Sequence, residues 1–222
     1  MSSCVALLGG SFDPVHNGHV ALAELFARLL HPDTLRIMPA GQPWQKAGQL
    51  QASDADRVAM LDIALRHATG FPADVDVGID TCEIERRTPT YTVETLRELR
   101  AELGPDASIV FVMGADQLQK LDSWRDWRAL FDLTNFGVAA RPGYQLDDAA
   151  LPPAVARELA TRRATPEEVR ASPAGRVCLA HTLAVDISAT RVRAALKSGT
   201  DAGAFVASQV LDYIQQHNLY KS

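Results

Sequence analysis

Short, nearly unbroken apolar runs alternate along the chain with longer segments whose apolar residues recur every three to four positions. The runs at 5–8, 35–38, 75–78, 109–113, 136–140 and 177–180 predict strands. Short apolar runs of this length are what buried strands show. Helical periodicity predicts helices over 18–30, 55–66, 93–103, 125–130, 153–163, 190–197 and 207–217. Ser53 with Asp56 predicts a capping pair for the second helix, and Thr92 an N-cap for the third, which Gly104-Pro105 ends. Strands alternating with helices predict an α/β fold: a Rossmann-like, open and mostly parallel sheet with helices on both faces. Two stretches break the pattern. Residues 40–51 read as a loop beside the site. Residues 143–175, rich in Ala, Pro, Arg and Glu, read as a surface excursion with an exposed helix and solvated charges. No internal repeat or long linker divides residues 1–222, which are read as one domain.

The most informative stretch runs from Gly9 to His19: Gly-Gly-Ser-Phe-Asp-Pro-Val-His-Asn-Gly-His. It follows the first strand and opens the first helix. Glycines let backbone approach a ligand closely. A helix start offers unpaired N–H groups and the positive end of a dipole, and His16 and His19 lie there. That combination suits a nucleotide polyphosphate. Neither common phosphate loop is present: there is no G-x-x-x-x-G-K-[ST] and no G-x-G-x-x-G. Four other polar segments follow strands: Pro39 to Lys46, Gly114-Ala115-Asp116, Arg141-Pro142-Gly143, and Ile187 to Arg193. In an open parallel sheet, ligands bind beyond the carboxyl ends of the strands. Ser188 and Thr190 carry hydroxyls that cap a helix or reach a phosphate, and Arg193 is one turn further in. Metal ligation by His16 and His19 would want further ligands at matching spacing. Only Asp13 is adjacent, so imidazoles donating to phosphoryl oxygens is the favoured reading and no metal ligands are assigned.

Composition narrows the partners. The chain has 222 residues, 47% of them hydrophobic, and a formal net charge of −5. That balance argues against a broad electrostatic grip on nucleic acid. Cys4, Cys82 and Cys178 are far apart, with no C-x-x-C spacing, and read as buried or idle thiols in a reducing compartment. No signal peptide is evident, and no run approaches the ~18 apolar residues of a membrane helix. A cytoplasmic location and no membrane partner are expected.

With those residues in view, the chain resembles the nucleotidyltransferase superfamily, whose signatures are (His/Thr)-x-Gly-His and Ile-Ser-x-Thr-x-x-Arg. Here they are His16-Asn17-Gly18-His19 and Ile187-Ser188-Ala189-Thr190-Arg191-Val192-Arg193. More narrowly, it is similar to bacterial nicotinate-nucleotide adenylyltransferases from Val5 to about Tyr220. The supporting segments are Pro89-Thr90-Tyr91-Thr92 with Thr95-Leu96, Gly114-Ala115-Asp116, Ser123-Trp124 and Arg141-Pro142-Gly143-Tyr144. One departure stands in the second loop. The family often carries Pro-Pro-His-Lys where this chain has Pro43-Trp44-Gln45-Lys46, so the cation is kept and the imidazole is not.

The resemblance implies ATP plus nicotinate mononucleotide giving deamido-NAD and pyrophosphate, with Mg²⁺ arriving on ATP and keeping several waters. It assigns His19 to the α-phosphoryl oxygens. His16 and the backbone of Gly9, Gly10, Ser11 and Phe12 would hold the polyphosphate. Lys46, Ser188, Thr190 and Arg193 would hold the β- and γ-phosphates, and Asp116 the ribose or adenine. Trp124 would stack on the pyridine ring, with Tyr91 and Thr92 at a helix start facing its carboxylate and Arg141 on the same side. Trp127 reads as core. Two rivals stay open: another transferase of the superfamily, such as one acting on phosphopantetheine, and a non-catalytic nucleotide-binding regulator. Oligomeric state is left open.

Overall fold

The first apolar run folds as β1 (Cys4–Gly10), a seven-residue strand whose first five residues are buried. In the computed structural model the described residues are 3–43, 50–86, 88–140, 151–180 and 187–221. After β1 come α1 (Asn17–Leu30), β2 (Thr34–Pro39), β3 (Gln42–Pro43), α2 (Asp54–His67), β4 (Asp76–Ile79) and α3 (Cys82–Glu85). Then follow β5 (Pro89–Thr90), α4 (Thr92–Leu103), β6 (Ser108–Gly114), α5 (Ala115–Leu118), α6 (Leu130–Leu133) and β7 (Asn135–Ala139). The chain continues with α7 (Pro153–Ala160), α8 (Pro166–Ala171), β8 (Val177–Ala180), α9 (Ala189–Ser198) and α10 (Ser208–Gln216).

Six strands form one parallel sheet in the order β4-β2-β1-β6-β7-β8. The chain builds outward from β1 in one direction, then returns and builds outward in the other. The order therefore reverses between β1 and β6, which opens a crevice at their carboxyl ends. Leu8 lies opposite Val112, so Gly10 and Gly114 end these two strands level with each other.

Successive residues of the central strands point to opposite faces. Ala6 and Leu8 of β1 and Val110 and Val112 of β6 join one core with Phe26 of α1, Met60 and Leu61 of α2, Val192 of α9 and Val210 of α10. Leu7, Ile109 and Phe111 join the other with Leu96 of α4, Leu130 of α6 and Val155 of α7. Helices thus cover both faces, as the alternating pattern requires.

All six predicted strands of the main sheet are present. Ser53 caps α2 as expected, accepting from the Asp56 N–H at 3.1 Å, and Gly104 ends α4 with φ 85°. Four details differ. The N-cap of α4 is Tyr91 rather than Thr92, which is the first helical residue. No helix spans 125–130: Asp126 takes the left-handed conformation (φ 49°), and a 3-10 turn over Trp127–Ala129 leads into α6. Within the expected loop 40–51, β3 pairs in parallel with β5, while residues 44–49 lie outside the described residues. The helix read as exposed, α7, buries Val155 and Leu159 against the second core. Its apolar residues stand four apart, the helical spacing of a packed face. Trp127 is buried, in keeping with its reading as core. Among the described residues, no helix is long and apolar enough to cross a membrane.

Candidate active site

Gly9 to His19 leave β1 at the crevice and enter α1. His16 is the N-cap, with extended backbone. Its N–H donates to Nδ1 of His19 at 3.2 Å, the returning half of a capping box in which the third helical residue reaches back to the cap. An Nδ1 that accepts from a backbone N–H carries no proton, so this bond assigns the ring proton of His19 to Nε2. The two imidazoles are stacked, with centroids 3.6 Å apart and planes 16° from parallel. The edge of Phe12 meets His19 at 4.8 Å. Gly18 leaves room for this stack. A Cβ there would lie 3.1 Å from Nδ1 and 3.2 Å from Cε1 of His16, whose ring is buried and backed by His19. Phe12 holds φ at 46°, where a side chain costs energy, and its buried ring lies where a Cβ on Gly10 would have to go.

The second signature comes to the same place. Ser188 caps α9, accepting from the Arg191 N–H at 3.3 Å. Thr190 is within the first turn of that helix and exposed. Ile187 approaches Gly18, its Cβ 3.7 Å from where a glycine Cβ would stand. Arg193 extends a guanidinium to the Asp13 carbonyl at 2.6 Å. The N-termini of α1 and α9 therefore lie side by side, and their partial positive charges add.

Asp13 and Arg57 were not assigned from sequence, yet they hold this loop. Asp13 is 1% exposed. Its carboxylate accepts from the N–H groups of Gln51 (2.9 Å) and Ala52 (3.0 Å) and from the Tyr220 hydroxyl (2.7 Å). Arg57 is fully buried and donates to the carbonyls of Ser11 (2.8 Å) and Ala40 (2.6 Å) and to Asp54 (2.6 Å). It ties the turn after β1 to the end of β2. A signal existed: Arg57, Met60, Leu61 and Ala64 occupy one helical stripe, and a cation at a core position asks for buried acceptors.

On the other flank of the crevice, Asp116 lies in α5, its Oδ1 2.6 Å from where a Cβ on Gly114 would stand, and it accepts from Gln117 Nε2 at 3.2 Å. Phe111 fills the space that Gly9 leaves, 3.5 Å from an added Cβ there. Trp124 meets the Phe111 ring at 6.0 Å, edge to face. Its Nε1 is buried with no hydrogen-bond partner among the described residues. Arg125 packs over Tyr91 at 4.6 Å and pairs with Glu94 at 3.1 Å. The Trp124 segment is thereby fastened to the N-terminus of α4, where Tyr91 and Thr92 sit. Lys46 and Arg141 lie outside the described residues.

No three His, Cys, Asp or Glu side chains gather as a metal cage among the described residues. The three cysteines are free thiols, Cys4 and Cys178 buried and Cys82 half-buried. Burial raises the pKa of Cys4 and Cys178, and pushes Cys82 up to about 12 with help from Asp80.

Known proteins are similar to this chain. A family profile described as cytidylyltransferase-like matches residues 7–195. A probable nicotinate-nucleotide adenylyltransferase of Herminiimonas arsenicoxydans is 54% identical over 222 residues, covering all of this chain and 99% of that protein. One of the same description from Chromobacterium violaceum is 42% identical over 221 residues, covering both chains fully. The fold also matches that of Plasmodium falciparum nicotinic acid mononucleotide adenylyltransferase complexed with NaAD. There the TM-score is 0.76 at 18% identity, over 98% of this chain and 97% of that one. The chain belongs to the nicotinate-nucleotide adenylyltransferase family of cytidylyltransferase-like proteins.

Proposed function

We propose that this protein transfers the adenylyl group of ATP to nicotinate mononucleotide, giving deamido-NAD and pyrophosphate. One observation supports the reading: the N-termini of α1 and α9 come together beside His19 at the sheet's switch point, with Trp124 and the start of α4 on the other flank of the crevice. A mononucleotide phosphate oxygen attacks the α-phosphorus of ATP. The bond from that phosphorus to the bridging oxygen breaks, and its electron pair leaves on pyrophosphate. The nucleophile is already anionic, so no base is needed and the protein's work is positioning and charge stabilisation.

His19 donates from Nε2 to the α-phosphoryl oxygens. His16 supports that ring by stacking, and the turn from Gly9 to Phe12 offers backbone to the polyphosphate. Ser188, Thr190 and Arg193 at α9 take the β- and γ-phosphates, joined by Lys46 on the strength of the motif. Asp116 takes the ribose or adenine. On the nucleotide side, Trp124 stacks on the pyridine, while Tyr91 and Thr92 turn the α4 dipole toward its carboxylate. Arg141 keeps the role the resemblance gives it.

The donor set suits magnesium that travels on ATP. The Asp13 carboxylate is taken up by three protein donors, and Mg²⁺ holds its waters and prefers phosphate oxygens to a protein cage. When bound it would supply positive charge to the leaving pyrophosphate.

Pyrophosphate release with ATP and Mg²⁺, measured for nicotinate and nicotinamide mononucleotides, tests both halves of the reading. The expected result is kcat/KM about tenfold higher for the acid, within the ~2 kcal/mol by which a partly buried helix start favours an anion. Equal efficiencies would remove the α4 assignment. No pyrophosphate from either substrate would remove the transferase.

A further inference from the structure

We propose that Tyr220, at the far end of the chain, is a positioning residue of adenylyl transfer, holding the ATP-side loop through Asp13. The inference rests on the function proposed above. The Asp13 carboxylate is buried and accepts three donors, two from the backbone approach to α2 and one from the Tyr220 hydroxyl at 2.7 Å. Tyr220 is itself 6% exposed. Asp13 follows Phe12, whose ring meets His19, and its carbonyl receives the Arg193 guanidinium at 2.6 Å. One residue therefore joins the carboxyl terminus, the phosphate-side turn and the arginine of the second signature.

The tail is shaped to bring the hydroxyl there. The Leu219 N–H bonds to the Ile214 carbonyl at 3.0 Å, closing the end of α10. Asn218 and Tyr220 both hold positive φ, at 53° and 60°, a conformation that asparagine accepts readily and an aromatic residue seldom does. Strained backbone persists where surrounding structure over-determines it. Burial and the neighbouring carboxylate both raise the phenol's pKa, so it remains a donor throughout the working pH range. Take the hydroxyl away and a buried carboxylate loses one of three donors. Its turn then relaxes, and with it the placement of Arg193.

Tyr220→Phe keeps the ring and removes the donor. A merely structural role would lower the fraction of folded enzyme, and so apparent kcat, without moving either KM. A positioning role moves KM for ATP and spares the mononucleotide, which binds across the crevice. Binding of a non-hydrolysable ATP analogue by calorimetry separates the same two cases. The stoichiometry reports the folded fraction, and Kd reports the site. The expected result for Tyr220→Phe is KM for ATP and Kd for the analogue both raised about tenfold, the scale of one hydrogen bond to a charged group, with KM for nicotinate mononucleotide within twofold of wild type. Unchanged analogue affinity overturns the proposal, whatever happens to kcat, and so does an equal shift in both KM values. Absence of activity in the wild type would count against the transferase alone, because analogue binding still decides the role of Tyr220.

Discussion

At the scale of single residues, the site depends on a glycine as much as on its imidazoles. Gly18 lies in the first turn of α1, where alanine is the better helix former by roughly 1 kcal/mol. Propensity alone therefore favours Gly18→Ala. Against it stands the His16 ring, 3.1 Å from the new Cβ at its nearest atom and backed 3.6 Å away by His19. The ring is buried and must give by a few tenths of an ångström, and His19 must give with it. The helix gains while the stack shifts, and under the proposed function it loses register with the ATP phosphates. The expected outcome is a melting temperature within about 2 °C of wild type together with kcat/KM lowered at least tenfold, since misplacing a catalytic group by ~1 Å costs on the order of a hundredfold. Thermal melts and steady-state kinetics on one preparation check it. A stable variant with full activity would show that the stack is not what positions His19.

At the scale of elements, α2 shows how a buried cation can organise a site it does not enter. Arg57 replaces an apolar residue in the core stripe of the helix and bonds two carbonyls, those of Ser11 and Ala40. Arg57→Met restores the stripe and adds apolar burial worth about 1–2 kcal/mol. It also strands both carbonyls, at roughly 1–3 kcal/mol each. Asp54 is half exposed and regains water, so it adds little. The loss outweighs the gain. Arg57→Met is expected to shift the urea midpoint down at unchanged slope, by a net ~2 kcal/mol, and to lower kcat/KM through the Ser11 turn. A midpoint equal to wild type would mean that apolar packing compensates fully, as it does at some buried ion pairs. Such an element also shows what sequence pattern can and cannot convey. The central strands were legible because a parallel strand buried on both faces reads as an apolar run, whereas the edge strand β4 carries Asp76 and alternates between exposed and half-buried positions. The two signatures were legible because each is contiguous. The four-residue helices α3, α5 and α6 are about one turn long, too short to display a period. Arg57 was legible only as an anomaly of charge. The bond from Tyr220 to Asp13 spans 207 positions and leaves no local trace at either end.

At the scale of the whole molecule, the packing of α3 beneath α4 carries a pH-dependent liability. Glu83, in α3, sits where the chain leaving β4 passes beneath the start of α4. Its Oε1 accepts from the Thr95 hydroxyl at 2.7 Å, and Arg86 donates to the same hydroxyl at 3.2 Å. Gly41 packs onto the Glu83 backbone so closely that a Cβ would fall 1.9 Å from the carbonyl oxygen. Burial raises the carboxyl above its ordinary 4.5, outweighing the Thr95 hydrogen bond and the Arg86 charge. The folded chain thus holds this proton more tightly than the unfolded chain does. For an acid shifted upward, stability is fully present below the unfolded pKa and is lost as pH rises through the folded one. Glu83→Gln keeps an acceptor for Thr95 and cannot ionise. Its stability relative to wild type is expected to be near parity at pH 4, to grow as pH rises past 4.5, and to level off once the wild-type carboxyl is fully charged. Urea midpoints of the two proteins at pH 4, 5.5 and 7 measure the difference directly. A gap that narrows with rising pH would reverse the assignment, because only a carboxylate stabilised by Arg86 gains from ionising.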